Sequence, residues 1–206
     1  MTALSAAHSR AIMWRRVMDD LSFEEARFSR GRTGVALSGS VMIAERGAPL
    51  RVDYRIVCDE GWNTRTVEVE QAWQGVKHIL RMAHDGSGRW RRNGREAPDL
   101  AGCTDVDLGV TPSTNALPIN RLRLPIGGRG EIVAAWVRFP EFAAIPAPQS
   151  YERLAERQYR YTSADGGFTS IIEVDEDGLP IDYAGIWRRV AEGPAEPEQD
   201  EARGVD

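Results

Sequence analysis

Apolar and polar residues alternate along most of this chain with a period of two. Leu50, Val52, Tyr54, Ile56 and Cys58 interleave with Arg51, Asp53, Arg55 and Asp59. That spacing puts the apolar set on one face of a β-strand. Val35, Leu37, Val41 and Ile43 repeat the pattern, with Gly39 marking a bulge or a close approach of backbone. A first strand is expected around Ile12, Trp14 and Met18. Further strands are expected over residues 64–71 and 76–84, around Phe168, Ile172 and Val174, and at Leu179, Ile181 and Tyr183. Between them, Ile132, Ala134 and Trp136 face one way while Val133, Val137 and Phe139 face the other, as in a central strand or a cavity wall.

Helical signals are sparse. Ser22-Phe23-Glu24-Glu25 could open a helix as a capping box or continue as strand, and residues 150–158 could hold a helical turn. Two proline-bearing stretches, around Pro98 and from Pro140 to Pro148, read as loops. Asp85-Gly86-Ser87-Gly88, Asn93-Gly94, Asp165-Gly166-Gly167 and Asp177-Gly178 supply residues that tolerate positive φ, as tight hairpins require. Gly127-Gly128-Arg129-Gly130 is a hairpin loop, since no Lys-Ser or Lys-Thr follows to make it a phosphate loop. The fold class predicted is mainly β: one large, curved antiparallel sheet or half-open barrel, with one or two short helices. Such a sheet must curl to hide its edges, and its concave face leaves room for a ligand.

Composition adds limits. The 206 residues suit one β domain, expected over 1–190. No apolar run approaches the ~18 residues of a membrane span, and Met1 to Arg10 carries no apolar signal segment, so a cytoplasmic protein without stable membrane insertion is expected. Six of the 31 acids and one of the 26 bases fall in residues 191–206, leaving 25 of each in the body. The acidic tail is expected to be disordered, and the neutral body offers no general footprint for nucleic acid. Cys58 and Cys103 belong to no CxxC, and His8, His78 and His84 stand at no metal-ligand spacing from them. Free buried thiols are expected, with no metal and no cofactor. Nothing in the pattern fixes an oligomeric state.

The stretch Gly102-Cys103-Thr104-Asp105-Val106-Asp107-Leu108-Gly109, then Thr111-Pro112-Ser113-Thr114-Asn115-Ala116-Leu117-Pro118-Ile119 and Arg121-Leu122, resembles the hallmark of a bacterial glycolipid-binding family. Supporting matches are Asp53 to Asp59 with Trp62, Thr64 and Arg65, then Ala134 to Glu141, Gln149 with Tyr151, and Asp182-Tyr183 before Trp187. The resemblance runs from about Trp14 to Trp187 and leaves the tail outside it. It implies a fold similar to the periplasmic lipoprotein carriers and an amphiphilic, glycolipid-like ligand, a class carried by the family's name alone. It supplies no catalytic residue. Val110 and Asn120 depart from the pattern, where an aromatic and a basic residue are common.

Six residues are the candidate ligand contacts: Asp105, Asp107, Thr114, Asn115, Arg121 and Trp136. Asp105 and Asp107 would share a strand face about 7 Å apart. They could satisfy backbone donors or arginines, touch a ligand, or act as acid and base in a hydrolase or isomerase of a glycosylated or lipid-like substrate. Thr114 and Asn115 could hold local turns or bond sugar hydroxyls. Arg121 could pair with Asp105 or Asp107, or anchor an anionic head group. Neither GxSxG nor HExxH occurs, so a non-enzymatic binder is the leading expectation. Among the six tryptophans, Trp136 is the best cavity candidate because its strand is apolar on both faces.

Overall fold

The computed structural model describes residues 8–18, 21–163 and 167–195. Strands dominate, and among the described residues they number fifteen, all in one sheet. Eight run up and down from the N-terminal side: β1 (His8–Arg16), β2 (Ser22–Gly31), β3 (Gly34–Glu45), β4 (Ala48–Cys58), β5 (Thr64–Trp73), β6 (Val76–His84), β7 (Trp90–Arg92) and β8 (Arg95–Glu96). Then come β9 (Asp105–Leu108) and the short helix α1 (Ala116–Leu122). A second meander follows: β10 (Arg129–Arg138), β11 (Ala143–Ala155), β12 (Gln158–Ser163), β13 (Thr169–Val174), β14 (Pro180–Tyr183) and β15 (Trp187–Pro194). Antiparallel pairing of β1 with β15 joins the two meanders, and β9 adds to the far side of β10 in parallel.

Local chemistry explains the tight hairpins. Arg46-Gly47, Gln74-Gly75 and Asn93-Gly94 each place two successive residues at positive φ, the type I′ geometry that matches strand twist. Gly39 sits in unbroken register opposite Ala26 and Tyr54. A Cβ there would lie 2.9 Å from the Tyr54 ring, so Gly39 is a close approach and not a bulge.

Several expectations are corrected. Of the two readings left open for Ser22 to Glu25 the strand holds, opening β2, because Ser22, Glu24, Ala26 and Phe28 alternate inward. Residues 150–155 continue strand β11 and make no helix. The one α-helix among the described residues lies at Ala116–Leu122, and the one parallel pair departs from a purely antiparallel sheet. Met18 lies beyond β1 and is exposed. Strand β15 runs to Pro194, paired with Arg10, four residues into the stretch expected as tail; residues 196–206 and most of the Asp165-Gly166-Gly167 turn lie outside the described residues.

The sheet is curved and unclosed, with edges at β8 and β9. Hydrogen bonds draw its two ends together across the interior. The Trp90 indole donates to the Cys103 carbonyl at 2.9 Å, the Gln71 amide donates to the Pro140 carbonyl at 2.9 Å, and Gly102 N–H meets the Gly88 carbonyl at 3.0 Å. Both cysteines are buried free thiols. No helix among the described residues is long and apolar enough to cross a membrane.

The junction of the two meanders is pinned by charge. Asp175, after β13, accepts from Arg10 of β1 and Arg189 of β15, each at 2.7 Å, and from the backbone N–H groups of Asp177 and Leu179. These hydrogen bonds and the two guanidinium charges hold its carboxyl below the usual range in spite of its burial. Removing one member of a buried pair strands the others. Asp175→Ala is therefore expected to cost about 3–5 kcal/mol, read as a lower urea midpoint with the slope unchanged. A loss below about 1 kcal/mol, the value of a surface pair, would show that the cluster is effectively solvated.

Candidate functional site

A parallel pair cannot be joined by a tight turn, so β9 needs a crossover before the chain returns as β10. Residues 109–128 make that crossover. The Thr111 hydroxyl accepts from Ser113 N–H at 2.9 Å, and the Asn115 amide donates to the Pro112 carbonyl at 3.0 Å. These local bonds wind residues 113–115 into a 3-10 turn that runs directly into α1. Pro118 occupies the third position of α1, where its missing N–H would have had no helical partner.

Beside this crossover lies a cavity of about 540 Å³. Its floor is polar: Asp107, Thr111, Asn115 and Gln149. Its walls are aromatic: Trp136, Tyr161, Tyr183 and Trp187. Its rim is apolar, with Ile145 and Phe168 among the exposed large hydrophobic residues. Pro146 and Pro148 also line it. The expected loop over residues 143–148 is instead the first half of β11, paired with β10 on one side only; β12 begins to pair at Gln149. Prolines fit there because that strand half has no neighbour to receive an N–H. The same missing neighbour leaves the cavity open.

Asp107, Asn115 and Trp136, three of the six candidates, are brought together in this cavity. Asp107 stands opposite Trp136 in the parallel pair. Gly109 leaves room for that ring, since a Cβ there would lie 2.9 Å from the indole nitrogen. Thr114 is buried behind the floor and donates to Asp107 Oδ1 at 3.3 Å, while Gln149 Nε2 donates to Oδ2 at 2.7 Å. Tyr151 donates its hydroxyl to Asn115 Oδ1 at 3.0 Å. Burial raises the Asp107 carboxyl above its ordinary range, against the pull of the Gln149 and Thr114 hydrogen bonds.

Asp105 and Arg121 go elsewhere. Arg121 grips Asp105 with two bonds, Nε to Oδ1 at 2.9 Å and Nη2 to Oδ2 at 2.6 Å, and Thr104 adds a third donor at 2.7 Å. Asp105 is 1% exposed and lines no part of the cavity. Arg121 borders an adjoining groove with Thr104, Arg129 and Glu131, which shares Pro148, Gln149 and Ser163 with the cavity. The two aspartates therefore do not face one substrate as an acid and base pair.

The chain matches the model of the family described as "Putative glycolipid-binding" over residues 11–189. The chain belongs to this family. A crystal structure of a DUF1089 family protein from Pseudomonas aeruginosa superposes with a TM-score of 0.76 at 31% identity, covering 82% of this chain and 92% of that one. A comparison with curated proteins finds no match.

Other residues of this glycolipid-binding family domain escape a reading of the sequence. Tyr161, Tyr183, Trp187 and Phe168 reach the cavity from β12 to β15, far along the chain from Asp107. Gln149 and Tyr151, two apart on β11, carried the one local signal: two polar-tipped side chains on a shared face. Glu24 gave none beyond its alternation. It is fully buried on β2 and accepts from the hydroxyls of Tyr54 and of Thr111, the latter at 2.7 Å; Thr111 itself lines the cavity. Burial pushes the Glu24 carboxyl up to about 7, outweighing those two hydrogen bonds.

That shift sets a pH dependence. A carboxyl raised in the folded state binds more protons folded than unfolded. Stability should therefore fall as pH rises from about 4.5 to about 7 and level off above. Asp107, also raised, acts in the same direction. Glu24→Gln should flatten most of the slope in melting temperature against pH. An unchanged slope would remove Glu24 as its source.

Proposed function

We propose that this domain binds an amphiphile head first in the cavity beside Trp136, with a hydroxyl-rich, sugar-like head against Asp107, Asn115, Thr111 and Gln149. The apolar part leaves past Ile145 and Phe168. The observation that carries this reading is that polar, aromatic and exposed apolar residues line one opening together. Sugar rings offer hydroxyls at their edges and C–H surfaces on their faces, and such a floor and such walls complement both. The volume lies within the ~300–1,000 Å³ of small-molecule sites. The family's description points to the same ligand class. A second groove of about 550 Å³, near Arg30, Trp62 and Arg153, mixes both charge signs over a mostly polar lining and suits an amphiphile less well. Of the six sequence candidates, Asp107, Asn115 and Trp136 are proposed as contacts and Thr114 as support. Asp105 and Arg121 are proposed as a structural pair.

Titration with n-octyl glucoside, followed by tryptophan fluorescence, tests this. Tyr161→Ala should weaken binding by about tenfold or more, some 1.4 kcal/mol. Arg121→Met should leave the affinity of the folded fraction unchanged but lower stability by about 3–5 kcal/mol, because it strands Asp105. Loss of affinity in Arg121→Met equal to that in Tyr161→Ala would move the site to the groove that Arg121 borders.

A further inference from the structure

Asp107 is a carboxylate with no cationic hydrogen-bond partner among the described residues. Its partners among the described residues are two neutral side chains, the Gln149 amide and the Thr114 hydroxyl. The nearby guanidinium, Arg121, is committed to Asp105 by two hydrogen bonds. The positive charge beside Trp136 is Arg138, whose guanidinium carbon lies 5.5 Å from the ring centroid without lining the cavity. An uncompensated carboxylate among protein atoms is costly, and it can be relieved by a proton or by a cation from outside.

Aromatic rings stand in the same cavity. Tyr161, Phe168 and Tyr183 form a triangle of rings with centroids 6.1, 6.0 and 6.4 Å apart, steeply inclined to one another. All three line the same cavity as Asp107, and a cation within about 6 Å of an aromatic face is attracted by its quadrupole. The uncompensated carboxylate adds to the Asn115 and Gln149 amides a charge that a neutral sugar does not call for.

Resting on the reading that this cavity is the ligand site, we infer that its ligand carries a positively charged nitrogen, an ammonium group on the head of the amphiphile, with Asp107 as its counter-ion and the Tyr161–Phe168–Tyr183 rings around it. An amino sugar and a simple alkylammonium head share this chemistry. The long 3.3 Å bond from Thr114 leaves Oδ1 the freer of the two oxygens, and an N–H donor on the ligand would meet it there.

A matched pair of probes separates the possibilities. Octyl 2-amino-2-deoxyglucoside and octyl glucoside differ in one group, ammonium against hydroxyl. At about pH 6, below the range of an ordinary amine, the wild type should bind the amino sugar at least about tenfold more tightly, the scale of one charge-assisted hydrogen bond. n-Octylammonium separates the sources: binding as tight as the amino sugar makes the ammonium sufficient, and weaker binding that still exceeds that of octyl glucoside adds the sugar ring as a second determinant. Asp107→Asn should erase the preference, lowering affinity for the amino sugar at least about tenfold more than affinity for octyl glucoside. Equal or tighter binding of octyl glucoside by the wild type would overturn the inference and leave the amphiphile reading standing. No binding of any of the three would overturn both. The wild-type comparison needs no variant, so it tests the inference even where Asp107→Asn fails to fold.

Discussion

The parallel pairing of β9 with β10 is the constraint on which the site depends. Four residues of β9 lie along β10 in a direction that no hairpin can supply. The chain must therefore cross over, and the crossover carries the 3-10 turn and α1 against the end of the sheet. That one requirement places Thr111, Thr114 and Asn115 beside Asp107 and sets Trp136 in the same row. It also ends the sheet: β9 is an edge covered by its own crossover and by the Trp90 and Gly102 bonds, so an unclosed sheet hides an otherwise exposed ladder.

Two aspartates two residues apart meet opposite fates within this arrangement. Asp105 receives a full complement of charge-assisted donors from Arg121 and Thr104, and it is sealed. Asp107 receives neutral donors and remains reachable through the cavity, while the surrounding protein holds its carboxyl above the ordinary range. Period-two logic put both on one strand face, which is right for the backbone. It offered Arg121 as a partner for either aspartate but could not choose between them or supply Gln149, which arrives from a separate, later stretch of the chain.

The legible part of the fold was the part written in local pattern. Leu50 to Cys58 alternated as a half-buried strand and forms one; Asn93-Gly94 called for a tight hairpin and makes one. The helix was hidden because its residues include Pro118, which reads as a breaker unless its place in the first turn is known. Strand β11 was hidden by Pro146 and Pro148, which exclude a paired strand but not one with an open side. Most of the cavity wall was illegible for a different reason. Tyr161, Tyr183 and Trp187 carry ordinary core-like spacing, and only the curvature of the sheet from β9 to β15 brings their strands around to face Asp107.

Glu24 shows how the far side of the interior supports the site. Its carboxyl reaches the cavity through one hydroxyl, Thr111, which it holds together with Tyr54 and Ser113. Gly39 is what lets the Tyr54 ring lie close enough to take part. A buried carboxyl raised to about 7 is a destabilising way to fix one threonine, and a neutral side chain would cost less in folding. A carboxylate oxygen, however, accepts from two hydroxyls at once, where a serine or an amide would compete as a donor as well. Thr111 is thereby fixed with its proton turned toward Glu24, and its oxygen is left to accept from the Ser113 N–H and to face the Ser113 hydroxyl at 2.8 Å. The floor beside Asp107 is thus oriented before any ligand arrives, and orientation settled during folding lowers the entropy that binding would otherwise consume.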